Sequence, residues 1–281
     1  MLMGFTECLK INNKSSGYAG GNTAGGGESS MQHMIFDAHL HIIDPAFPLV
    51  SNDGFLPDAF TVDDYVGQTA ALGVGGGAVV SGSFQSFDQS YLITALAALG
   101  PTFVGVTQLP YSVSDEDLLL LASHGVRAVR FNLRRGGSES SAYLCEFAHR
   151  VYDLLGWHIE IYADCKSLTD LAGKLCKLPA ISIDHLGLSK EGLPLLYQLA
   201  ESGAKVKATG FGRVDFAVSQ AIKRLFEINP DALMFGTDLP STRSPRAFNP
   251  VDIEIIGNAL GDAAAKKVLW DNAAAFYRLG V

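Results

Sequence analysis

The sequence predicts one α/β domain, a (β/α)8 TIM barrel over residues 34–281, preceded by an extension over residues 1–33. From Met34 onward, short β-branched and apolar runs alternate with longer segments of helical period, the pattern of repeated strand–helix–strand units around a parallel sheet. The runs number eight, and eight such units in about 250 residues suit a closed barrel better than an open doubly wound sheet of five or six strands. No G-x-G-x-x-G follows an early strand and no Walker A sequence occurs. The glycine run over residues 73–77 is read as preceding its strand, where it cannot cradle a phosphate, so dinucleotide and nucleoside triphosphate binding are excluded.

In chain order the strands are expected over Met34–Ile42, Gly76–Ser81, Phe103–Gln108, Ala128–Asn132, His158–Ala163, Ala180–His185, Lys205–Thr209 and Leu233–Thr237. Between them, Asp115–Ser123, Ser140–Leu155 and Phe216–Ile228 repeat apolar residues at three and four positions and read as covering helices. Ser114, Ser167 and Asp215 stand where side-chain oxygens can cap helix starts, and Gly125, Gly156 and Gly203 stand where left-handed C-caps fall.

The extension is dominated by Gly, Ser, Asn and Thr over residues 13–30, too polar to bury a core, and is expected to be disordered. It lacks the basic and apolar regions of a secretory signal. Apolar residues make up 48% of the chain and charged residues 18%, enough for a large core, and no apolar run approaches the roughly 18–20 residues of a membrane span. The net charge of -8, with no basic cluster, argues against nucleic acid, whose binding rests on phosphate neutralisation. Cys8, Cys145, Cys165 and Cys176 form no CxxC pair and no disulfide framework, which suits a reducing compartment, so a cytoplasmic protein is expected.

Functional side chains of such a barrel lie at the C-terminal strand ends. The first strand ends in Asp37-Ala-His39-Leu-His41, whose histidines at i and i+2 share one side of an extended chain. The sixth ends in Asp184-His185 and the eighth in Gly236-Thr-Asp238. One histidine at a strand end is more often a packing residue than a catalyst. Three histidines and an aspartate on one rim are hard to explain by packing, so His39, His41, His185 and Asp238 are the candidate catalytic group. His124, His149 and His158 fall on helices or at a strand start and are read as structural.

Arg130 closes the fourth strand, Arg134 and Arg135 follow it, and Arg213 lies just past the seventh. In an acidic chain with ten arginines, several on one rim point to an anionic ligand held by paired guanidinium hydrogen bonds. Tyr162 and Asp164 close the fifth strand; one of them is expected to face the mouth, and Tyr162 is a candidate donor to substrate. Phe84, Gln85, Arg243 and Arg246 are loop side chains expected to shape the pocket.

On Phe36-Asp-Ala-His-Leu-His41, Gly125-Val-Arg-Ala-Val-Arg-Phe-Asn132, Gly156-Trp-His-Ile-Glu-Ile-Tyr162, Ile183-Asp-His-Leu-Gly187, Phe235-Gly-Thr-Asp-Leu-Pro240 and Asp271-Asn-Ala-Ala, the chain resembles the amidohydrolase superfamily, with its metal-dependent-hydrolase-like barrel. Within it, the Arg-Phe-Asn and Tyr elements resemble the branch of 2-pyrone-4,6-dicarboxylate hydrolases and sugar lactonases. The resemblance implies that Asp238 activates water, that His39, His41 and His185 orient water and polarise the scissile carbonyl, and that Arg130, Arg213 and one of Arg134 or Arg135 hold substrate carboxylates. Nearby arginines would keep Asp238 charged and stabilise the oxyanion.

The implied reaction is hydrolysis of an anionic lactone such as 2-pyrone-4,6-dicarboxylate, in aromatic or sugar-acid catabolism. The alternatives are a metal-dependent decarboxylase of the amidohydrolase type, a sugar-acid lactonase, and a non-catalytic barrel that only binds a carboxylate. Zinc members of the superfamily add a fifth-strand histidine, where this chain has Tyr162 and Asp164. The resembling branch includes lactonases that work without metal, and the arginines could replace the Lewis acid, so no required cofactor is expected; a divalent metal such as zinc, if bound, would use His39, His41, His185 and Asp238.

Overall fold

The computed structural model describes residues 34–279. The extension over residues 1–33, and Cys8 with it, lies outside the described residues. Eight strands, β1 (Ile35–Leu40), β2 (Val74–Val80), β3 (Phe103–Thr107), β4 (Val126–Asn132), β5 (His158–Tyr162), β6 (Ile181–Ile183), β7 (Lys205–Ala208) and β8 (Leu233–Phe235), pair in parallel in sequence order. Every expected run holds a strand. Several stop short of the expected ends, because His41, Gln108, His185, Thr209 and Thr237 have already left strand pairing to project from the rim. Two backbone hydrogen bonds bring the first and last strand ends together: Asp238 N–H donates to the His39 carbonyl at 2.7 Å and His41 N–H to the Leu239 carbonyl at 2.8 Å.

The covering helices include α1 (Val62–Thr69), α2 (Ser90–Leu99), α3 (Asp115–Ser123), α4 (Leu144–Leu155), α5 (Ala172–Leu175) and α6 (Leu193–Glu201). After them come α7 (Val218–Ile228), α8 (Val251–Leu260), α9 (Asp262–Lys266) and α10 (Asn272–Phe276). Ser114 caps α3 as expected, accepting from Asp117 N–H. Two other expected caps are corrected. Asp164, not Ser167, accepts from Lys166 N–H at the turn after β5, and Asp215 accepts from Lys190 N–H while α7 starts three residues later without a side-chain cap. Gly125, Gly156 and Gly203 follow their helices with positive φ. The glycine run is also corrected: Gly75–Gly77 lie inside β2. A Cβ on Gly76 would sit 2.6 Å from the Thr102 carbonyl oxygen, so close strand packing, not ligand binding, requires glycine there.

Side chains inside the barrel form one core and those between sheet and helices another. Phe36, Ala78, Val80, Val104, Val106, Ala128 and Met234 fill the interior floor, closed from below by Ala273 and Tyr277. Leu40, Val79, Val129, Phe131, Ile159, Ile161 and Val206 pack outward against the helices. A bulge in β1, where Asp37 to Leu40 spans only Gly77 to Val79 on the neighbour, breaks the two-residue alternation. Phe36 can then face inward at the floor while His39 and His41 face inward at the rim. A second irregularity in β4, between Val126 and Ala128, lets Val126 pack outward while Ala128 and Arg130 face inward.

Asp37 accounts for the seam between β1 and β8. Its carboxylate accepts from Thr237 N–H at 2.8 Å, Thr237 Oγ1 at 2.7 Å and Tyr65 OH at 3.0 Å, so a side chain of the first strand holds the loop after the last. Burial pushes its pKa up to about 6, opposed by those donors. Among the described residues, no helix is long and apolar enough to cross a membrane.

Candidate active site

Asp238 stands at the centre of the rim. The Nε2 atoms of His39, His41 and His185 lie 4.0, 3.9 and 4.0 Å from its Oδ1, although the three rings come from two distant segments. All four side chains are buried. The close approach depends on Gly236, where a Cβ would sit 2.6 Å from His39 N, so a larger residue would push the two rim segments apart. Asp238 itself takes a left-handed φ of 61, which turns its side chain from the strand line towards the axis.

Each imidazole is oriented through its other nitrogen. His41 Nδ1 lies 2.7 Å from the Val80 carbonyl, which can only accept, so Nδ1 carries the proton and Nε2 presents a lone pair. His185 Nδ1 meets Thr209 Oγ1 at 2.8 Å, and His39 Nδ1 meets the Lys207 ammonium at 3.3 Å. Burial holds all three rings neutral, His41 down to about 3 and the other two well below the usual value; Arg130, Arg213 and Lys207 add to the effect. His158, packed at a tilt against Phe276 with ring centres 4.2 Å apart, is lowered in the same way.

These rings set a pH dependence of stability. Their pKa values are lower folded than unfolded, so the stability they contribute is complete above about pH 6.5 and is lost as pH falls towards 3. Asp37, Glu160 and Asp238 are shifted upward and act in the opposite sense, but four rings outnumber three carboxyls. The urea midpoint is therefore expected to fall between pH 6.5 and pH 5; a midpoint that rises over that interval would contradict neutral rings.

Asp238 Oδ2 accepts from Arg213 Nε at 2.6 Å, while Oδ1 is buried with no hydrogen-bond partner among the described residues. Burial raises the Asp238 pKa, and Arg213 and Arg130 restrain the rise without reversing it. The arginines favour the charged carboxylate, as expected, and burial outweighs them. The result is a carboxylate with one anchored oxygen and one free oxygen, a stronger base than an exposed aspartate.

Above Asp238 opens a cavity whose lining includes His41, His185, Arg130, Arg213, Arg135 and Arg243. Arg130 is largely occupied by protein: Nη2 bonds Asp184 Oδ2 at 2.7 Å and Nη1 bonds the Ser81 carbonyl at 2.8 Å. Tyr162 lines the same cavity, edge-on to His185, with the Arg130 guanidinium 5.2 Å from its ring centre. Arg135 lines both this cavity and the wider space outside it, whereas Arg134 borders only the outer one. Asp164 turns away, because β5 has ended before it and its carboxylate caps the following turn. Phe84 and Arg243 line the cavity; Gln85 instead donates to the Ile42 carbonyl and ties the turn after β2 to the segment after β1, and Arg246 pairs with Asp252 outside.

Beneath the imidazoles lies a charged layer that the sequence reading missed. Lys207 Nζ meets Glu160 Oε2 at 2.5 Å and lies 4.0 Å from Asp184 Oδ1, with all three side chains fully buried. Glu160 is pushed up by burial and by Asp184, against the pull of Lys207 and Arg130. His39 Nδ1 sits 3.6 Å from both Glu160 and Asp184, so this layer positions the first histidine from below.

Among the described residues, two groups could hold a metal ion: His39, His185 and Asp238 above, and His39, Glu160 and Asp184 below. The donor types suit a divalent ion, and His39 Nε2 and Asp238 Oδ1 are both buried without hydrogen-bond partners among the described residues.

The family profile described as Amidohydrolase matches residues 36–279. The chain belongs to the amidohydrolase family. Among this amidohydrolase's curated relatives, the 4-sulfomuconolactone hydrolase of Rhizobium radiobacter is 26% identical over 267 residues, covering 86% of this chain and 89% of that protein. The 2-pyrone-4,6-dicarboxylate hydrolase of Comamonas testosteroni is 30% identical over 232 residues, covering 73% and 76%. A Pseudomonas putida structure, provisionally named a 2-pyrone-4,6-dicarboxylic acid hydrolase, superposes with a TM-score of 0.74 at 25% identity, covering 89% of this chain and 100% of that one.

Proposed function

We propose that this amidohydrolase opens the ester ring of a small anionic lactone, with Asp238 taking the proton from the attacking water. The observation that carries this reading is the free Oδ1 of Asp238, buried and ringed by three neutral imidazoles below a guanidinium-lined cavity. Both curated relatives are named as hydrolases of anionic lactones, and the reading extends that chemistry to this chain.

Water placed between Asp238 Oδ1 and the His41 Nε2 lone pair is held by two acceptors, which aims its oxygen lone pair at the substrate. As the oxygen attacks the lactone carbonyl, its proton passes to Oδ1 and the carbonyl electron pair moves onto oxygen. Arg130 and Arg213, which keep unused N–H groups, face the cavity where that charge develops, together with Tyr162. Collapse of the intermediate breaks the ring C–O bond, and the leaving oxygen recovers the proton from the Asp238 carboxyl. Arg135 is the loop arginine assigned to a substrate carboxylate; Arg134 borders the outer approach.

His39, His41, His185 and Asp238 would hold a divalent metal, which would supply a Lewis acid to the carbonyl. We assign no required metal, because Arg130, Arg213 and Lys207 already bring three cations to the site. Full activity after exhaustive chelation supports this; loss restored by zinc or manganese overturns it. The described cysteines Cys145, Cys165 and Cys176 are free, in keeping with a cytoplasmic location.

The test is a panel of anionic lactones, including 2-pyrone-4,6-dicarboxylate and sugar-acid lactones, followed by proton release and, for pyrones, by loss of ultraviolet absorbance. Ring opening of at least one member is expected. Release of carbon dioxide in place of ring opening would select the decarboxylase, and tight binding without turnover would select a non-catalytic barrel.

A further inference from the structure

The four guanidinium groups around the cavity are of two kinds. Arg130 and Arg213 are paired with Asp184 and Asp238. The Arg135 and Arg243 side chains form no ion pair among the described residues, and Asp53 acts on Arg243 only from a distance. Arg243 is instead held by neutral oxygens: Asn52 Oδ1 at 3.2 and 3.1 Å and Ser83 Oγ at 2.9 Å, with its guanidinium 4.5 Å from the Phe55 ring centre. Asn52 also donates to the Arg135 carbonyl at 3.0 Å, tying the two arginine loops together. Burial and the Arg135 charge both make the Arg243 cation less favourable, so two like charges are held near each other with no acid between them.

An anion placed between the two would relieve that repulsion, and the planar fork of Arg243 is already fixed by stacking and by two neutral acceptors. Both arginines line the inner cavity and the outer space, as Arg213 does, but Arg243 is less buried than Arg213 and is not tied to Asp238. We propose that Arg243, with Arg135 beside it, is a second anion subsite that receives the acid group most distant from the ring ester oxygen, so that the enzyme selects dianionic over monoanionic lactones. The proposal rests on the lactone hydrolysis argued above.

The experiment compares 2-pyrone-4,6-dicarboxylate with 2-pyrone-6-carboxylate, which lacks the second acid group, in the wild type, Arg243→Gln and Arg243→Lys. The wild-type preference in kcat/KM for the dianion is expected to fall by a factor on the order of 10 to 100 in Arg243→Gln and by less in Arg243→Lys, which keeps charge but loses the fork. A preference unchanged in both variants, or no preference in the wild type, overturns the subsite. If neither pyrone is hydrolysed, the hydrolysis reading for these substrates fails separately. Calorimetric binding of the two pyrones to the same three proteins then decides the subsite: a dianion preference lost in Arg243→Gln supports it, and equal binding overturns it.

Discussion

Asp238→Asn is expected to lower kcat by a factor on the order of 1,000 or more while the fold survives. The asparagine oxygen can still accept from Arg213 Nε, which now meets Oδ2 at 2.6 Å, so the rim keeps its main anchor. The other terminal atom becomes an NH2 group, which cannot take a proton from water and which faces the His41 Nε2 lone pair as a donor. Removing a buried carboxylate whose pKa burial has raised also relieves a desolvation cost. Thermal unfolding and substrate affinity should therefore change little while turnover collapses. Near-normal turnover would reject Asp238 as the base, and collapse of the fold together with activity would reassign it to structure.

Lys207→Met carries the largest expected loss of stability, about 3–5 kcal/mol, read from the urea midpoint. The substitution would leave Glu160 fully buried beside Asp184, with only Arg130 at 3.6 Å as a remaining cation. Burial already raises the Glu160 pKa, so the carboxyl would take up a proton and leave its oxygens facing neighbours chosen for a charge. The double variant Glu160→Gln, Lys207→Met removes both charges and should regain about half or more of the loss. Equal destabilisation in the single and double variants would show that the pair is not what holds this layer.

The parts of the molecule that were legible in the sequence are those that elementary periodicity controls. The run Ala128–Asn132, observed as a strand over Val126–Asn132, and the exact span Asp115–Ser123 follow from apolar spacing and a serine cap. The rim histidines and Asp238 were legible because polar residues closing apolar strands collect at one end of a barrel. Glu160 and Lys207 were not, for a physical reason. In His158-Ile-Glu160-Ile-Tyr162 and Lys205-Val-Lys207-Ala the charges alternate with apolar residues, which in an open sheet marks a solvated face. Only closure of the barrel turns that face inward, where the two charges have to find each other across strands. The β1 bulge is equally silent in sequence, since nothing in Asp37-Ala-His39 says that alternation breaks there. Arg243 was named as a loop side chain, but its partners Asn52 and Ser83 come from two other loops.

The central claim, that Asp238 activates water and does not itself attack the lactone, is tested most directly by a single turnover in water enriched in oxygen-18, with enzyme in excess over a lactone the panel shows to be opened. The new carboxylate of the product is predicted to carry the heavy oxygen in that first turnover, and none is predicted in the Asp238 side chain. An unlabelled first product, with the label appearing instead in Asp238, would show an acyl-aspartate intermediate and contradict the account.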